Sequence, residues 1–68
     1  MKNEVLKTVI GTVLRAHGEE FGSIDDVQFC VKAELVNGYM YSETEASEIV
    51  ESEEFIELVD EIGSELGL

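Results

Sequence analysis

Between Asn3 and about Glu20 the apolar residues Val5, Leu6, Val9, Ile10, Val13 and Leu14 recur at i, i+1, i+4 and i+5. That period places them on one side of a helix. At 100° per residue the apolar arc spans about half the circumference, wider than the stripe one neighbouring helix covers. The first helix is therefore expected to contact two elements, or a second chain. Gly11 reads as lying on its opposite side, where a glycine costs roughly 1 kcal/mol relative to alanine. Gly18 and Gly22 bracket the expected stop.

The middle segment admits two readings. Ser23 followed by Asp26 is a capping arrangement, Asp25 and Asp26 suit the positive end of a helix dipole, and Asn37-Gly38 supplies a left-handed C-terminal cap. On this reading residues 24–36 are a helix with two apolar faces, as befits a central element. Ile24, Val27, Val31 and Leu35 form one face, and Phe29, Ala33 and Val36 the other. Alternatively, Val27, Phe29, Val31, Ala33 and Leu35 alternate with polar residues, and Asn-Gly is a preferred hairpin turn. A hairpin over 27–44 would pair Lys32 with Glu43. We favour the helix, because its capping signals precede it and the partner strand would have to include Glu43-Thr44-Glu45, which are poor strand formers.

Further on, Ser42-Glu43-Thr44-Glu45 is a capping box that opens a short helix through Ala46, Ile49 and Val50. Ser52 caps another start. Phe55, Ile56, Leu58, Val59, Ile62 and Leu66 then line one side of a final helix, with Glu53, Glu57, Asp60 and Glu61 on the other. The last two helices are either continuous or bent at Ser52. The fold class expected is an all-α bundle of three to four helices, with a helix-hairpin-helix α+β domain turning at Asn37-Gly38 as the alternative.

At 68 residues there is room for one small domain, spanning 1–68, and no internal repeat, proline or Ser/Gly linker marks a boundary. A hydrophobic fraction of 44% is that of a folding chain. One cysteine, Cys30, excludes an internal disulfide and points to a reducing compartment. Lys7 breaks the N-terminal apolar run, so the start lacks a signal-peptide pattern, and no stretch reaches the roughly 20 apolar residues of a membrane span. The cytoplasm is the expected location. A small unstapled core would also be relieved by a homodimer.

Sixteen Asp and Glu against four Lys and Arg give a net charge of −12. Such a chain repels polyanions, so direct binding to nucleic acid or to an anionic membrane is not expected. The acids are 13 Glu and 3 Asp, a helical-surface choice rather than a halophilic one. They are also unevenly placed: residues 42–68 hold ten acids and no base. A helix face needing only solubility would profit from Glu-to-Lys pairs at i, i+4, and this one forgoes them.

Candidate catalytic chemistry is sparse. His17 falls at the centre of the first helix's apolar arc, and with Cys30 it offers two metal ligands where a structural zinc needs four. Cys30 as a nucleophile would need an electropositive setting that this chain does not provide. Asp25-Asp26 lacks calcium-loop spacing, and no glycine belongs to a phosphate-binding motif. Neither an enzyme nor a cofactor is expected. Tyr39, Met40 and Tyr41, beside a turn, form a candidate contact patch, since aromatics and methionine are enriched in interface cores. The chain lacks the Asp-Ser-Leu site of acyl carrier proteins, whose size and acidity it shares. Leu35-Val36-Asn37-Gly38-Tyr39 followed by Ser42-Glu43-Thr44-Glu45-Ala46 resembles the loop and second helix of ubiquitin-associated three-helix domains, with two additional residues between loop and cap. The resemblance implies a compact helical fold, and no family follows from it.

Functionally, rows of Glu at i, i+3 and i+4 stand about 5 to 6 Å apart on a helix and imitate a phosphate backbone. The expectation is a non-enzymatic acidic protein that binds a basic, nucleic-acid-binding protein through Glu53, Glu54, Glu57, Asp60 and Glu61, as phage or mobile-element inhibitors do. An assembly adaptor acting through Tyr39, Met40 and Tyr41 is the first alternative. A metal or small-molecule module using His17 and Cys30 is the second.

Overall fold

The computed structural model describes residues 3–67 and contains four α-helices: α1 (Asn3–His17), α2 (Ile24–Gly38), α3 (Glu43–Val50) and α4 (Glu53–Glu65). A 3-10 turn, Gly18–Glu20, continues from α1, so the chain leaves that helix between the two glycines, as its sequence requires. No described residue forms a strand. The hairpin alternative is therefore overturned. The alternation over residues 27–35 is compatible with a helix because only Val27, Val31 and Leu35, spaced by four, need burial. The residues that would have formed the second strand are instead started as α3 by Ser42, whose Oγ accepts the Glu45 N–H at 3.1 Å.

Helix α1 packs against both α2 and α4, α2 against α3, and α3 meets α4. The wide apolar arc of α1 is thus covered within one chain: Leu6, Val9, Ile10, Val13 and Leu14 are all buried. Facing them are Val27, Val31 and Leu35 of α2, Ala46 and Val50 of α3, and Phe55, Leu58, Val59 and Ile62 of α4, in one continuous core. No polar or charged residue is buried with them among the described residues. The radius of gyration, 10.8 Å, matches the value of about 11 Å expected of a close-packed chain of this length.

Helices α3 and α4 are separate. Ser52 divides them: its Oγ accepts the Phe55 N–H at 3.2 Å and donates to the Ile49 carbonyl at 2.7 Å, joining the end of one helix to the start of the next. Ser23, by contrast, makes no side-chain cap. The Asp26 carboxylate reaches past it to accept the Gly22 N–H at 3.0 Å.

Ile56 and Leu66, expected on the apolar side of the final helix, are exposed, and four other expectations need correction. Gly11 is buried on the flank of α1, beneath the Arg15 guanidinium, rather than lying on its outer side. His17 is exposed rather than buried in the apolar arc, and Leu14 is the last core residue of α1. The left-handed position after α2 is taken by Met40 (φ 61°), while Gly38 remains in the last helical turn. Finally, α2 buries only one apolar face. Phe29 and Ala33 are exposed and Ile24 is at the surface, since α1 and α3 both approach from the Val27-Val31-Leu35 side.

Candidate protein-binding surfaces

Burial of Phe55, Leu58, Val59 and Ile62 fixes the rotation of α4, and with it the direction of every other side chain on the helix. Glu53, Glu54, Glu57, Asp60 and Glu61 are accordingly all exposed. Glu53, Glu57, Glu61 and Glu65 follow one another at intervals of four, with Glu54 and Asp60 each three residues from Glu57, so the acids form neighbouring rows along the outer face. The only basic–acidic side-chain contact within 4 Å among the described residues lies elsewhere, between His17 Nδ1 and Glu20 at 3.8 Å.

The acidic face is not uniform. Glu61 and Glu65 share a shallow depression with Lys7, Gly11 and Arg15 of α1, which places the chain's N-terminal cations beside the C-terminal half of α4. Asp60 borders a separate cleft with Leu14, Phe21, Val27 and Val59. Glu53, Glu54 and Glu57 border neither depression. The basic N-terminal segment and the acidic C-terminal one, far apart in sequence, thus meet at Glu61.

The Tyr39–Tyr41 segment is also divided. Tyr39 and Tyr41 both donate their backbone N–H to the Leu35 carbonyl, at 3.2 and 3.1 Å, which folds the chain back under the end of α2. This turn directs Tyr41 against the core and leaves Tyr39 42% and Met40 91% exposed. Two of the three residues are available as a surface.

A third surface escaped the sequence reading. Phe29, assigned there to a buried face, is 75% exposed. With Ala33 and Val36 it lines a groove of about 260 Å³ on the outer side of α2, closed at its margins by Lys32, Asn37 and Glu43, the first residue of α3. None of the other described helices covers this side of α2, which periodicity along the chain does not report.

His17 is tilted against Phe21, with ring centroids 6.5 Å apart, and its imidazole is 55% exposed. Cys30 is half-buried against the core. Among the described residues no three His, Cys, Asp or Glu side chains are arranged to hold a metal ion. No described helix is long and apolar enough to cross a membrane. No known protein family matches the chain, and neither a curated protein nor a solved structure does.

Proposed function

We propose that this protein works by stoichiometric binding, without catalysis, and that its target is the positively charged surface of a nucleic-acid-binding protein in the cytoplasm. In this reading α4 imitates a phosphate backbone, as a phage or mobile-element inhibitor would. The observation that supports it is the disposition of charge: all 16 carboxylate side chains are exposed, and those of α4 stand in rows on a helix whose opposite face is locked into the core. A row of charges on a helix already folded meets a basic groove without a further loss of backbone entropy. Glu53, Glu54 and Glu57 are the strongest contributors, because Glu61 already lies near Lys7 and Arg15.

The test is capture of partners at about 50 and 500 mM salt, which shortens the Debye length from about 14 to about 4 Å. Binding only at low salt, displaced by added DNA or RNA and abolished by Glu57→Lys with Asp60→Lys at unchanged helical CD, is the expected result. Binding retained by the charge-reversed variant removes α4 from the account.

A second reading, an assembly adaptor, rests on Met40, a large apolar side chain held almost wholly in solvent beside the half-exposed Tyr39. Salt-insensitive binding that is lost on Tyr39→Ala would select it.

A further inference from the structure

We infer that the outer face of α2 is a docking groove for a basic amphipathic helix of a partner protein, with an apolar side chain of that helix seated between Phe29, Ala33 and Val36. This deepens the proposed function and rests on it for the sign of the partner's charge, but it uses a different surface. A phenylalanine in the middle of a helix, 75% exposed and continued by Ala33 and Val36 one and two turns later, is an apolar stripe of the kind against which the apolar face of another helix packs. Ala33 leaves room at the centre of the stripe for a close approach. Glu43 of α3 forms a wall.

Charge identifies the occupant. Asp25 and Asp26 stand one turn before Phe29 and flank it on either side of the helix face, and Glu43 borders the other end. Lys32 is the only cation at the groove. An incoming helix with Lys or Arg at both ends of an apolar stripe meets carboxylates at both ends of this one. A second copy of the chain fits worse. Paired antiparallel about Ala33, two such faces bring Asp25 and Asp26 of each towards the Glu43 end of the other, and paired parallel they set like residues side by side, in either case between molecules of charge −12. The covering that α1 required is already supplied internally, so nothing in the core calls for a second chain.

The experiment uses the full chain and two synthetic peptides of identical Lys and Leu composition, about 14 residues long. One has leucines at i, i+3, i+4 and i+7, and the other is scrambled so that no apolar face exists. Binding is followed by amide chemical shifts. The amphipathic peptide is expected to perturb Phe29, Ala33 and Val36 and to bind about tenfold more tightly than the scrambled one; Phe29→Ser should remove that difference, because burying a phenylalanine is worth at least one factor of ten. Since Phe29 is exposed, the variant folds, and an unchanged CD melt verifies this. Equal binding of both peptides with shifts confined to α4 overturns the groove and leaves the acidic-face reading standing. Shifts at α2 that persist in Glu57→Lys/Asp60→Lys, with no shift at α4 in the wild type, support the groove while removing the acidic face. Absence of binding by either peptide overturns the groove, as does a dimer in sedimentation that Phe29→Ser dissolves.

Discussion

Gln28 Nε2 donates a 2.8 Å hydrogen bond to the backbone carbonyl of Val50. That carbonyl lies at the C-terminus of α3, where the last turn of a helix leaves its acceptors without intrahelical donors. A half-buried side chain from the second turn of α2 thus closes the end of a helix 22 residues away, at the edge of the core. Gln28→Ala is expected to destabilise the fold by about 1 kcal/mol, the net worth of one such bond. Gln28→Glu should cost more, because it replaces the donor with a carboxylate against a carbonyl oxygen. Urea unfolding of the three proteins checks the order, and equal midpoints would show that the bond contributes nothing.

Two glycines sit inside helices without a backbone reason. The nearest atoms to a Cβ added at Gly11 would be those of the Arg15 guanidinium, at 3.5 Å and in ordinary van der Waals contact, and one added at Gly63 would meet nothing within 4 Å. Gly11→Ala and Gly63→Ala should therefore each stabilise by about 1 kcal/mol through helix propensity. For a domain of this size that corresponds to a rise in Tm of about 4 to 8 °C. A fall at position 11 would show that close packing around the buried Gly11 outweighs its helix-propensity cost.

Met40 holds a left-handed backbone conformation with its side chain in solvent. A non-glycine residue there costs about 1 to 2 kcal/mol, and a glycine gives back about 0.5 to 1 in lost chain entropy. Met40→Gly should consequently stabilise the protein by about 0.5 to 1 kcal/mol. If the adaptor reading holds, the same variant binds its partner more weakly while melting higher, a combination that calorimetry and a binding titration would separate.

Salt should stabilise the free protein. Glu53–Glu57, Glu57–Glu61 and Glu61–Glu65 are like-charge pairs at i, i+4, each unfavourable by about 0.2 to 0.5 kcal/mol. Screening them recovers about 1 kcal/mol, so Tm in 500 mM NaCl should exceed that in 20 mM. A lower Tm at high salt would show that attraction between Lys7, Arg15 and the C-terminal half of α4 outweighs the repulsion along that helix.

The starts of α3 and α4 could be read from local chemistry at Ser42 and Ser52, whose hydroxyls accept the N–H groups three residues on, whereas at α2 the expected Ser23 cap is not made. The exposure of Phe29 could not be read in that way. Its neighbours at i+4 and i+7 are apolar, as they would be in a core, and periodicity reports that a face is apolar without reporting whether anything covers it. His17 failed for a related reason: angular position on a helix wheel does not say whether a side chain at the end of a helix is covered. The candidate acidic face was legible because carboxylates are exposed wherever the opposite face is apolar, whereas the placement of Glu61 beside Lys7 and Arg15 depends on how α4 lies against α1.

By itself, the sequence determined the helical segments, the side-chain caps at Ser42 and Ser52, most of the residues that form the core and a net charge of −12. These follow from interactions within a few residues, or from composition. Tertiary structure alone decided that α1 is covered by its own chain, that Gln28 closes α3, that the acidic face is partly balanced by the N-terminal cations, and that an apolar stripe on α2 is left in solvent. Those outcomes depend on which helices pack together and how far each extends, and burial, unlike helix formation, is a property of the neighbours.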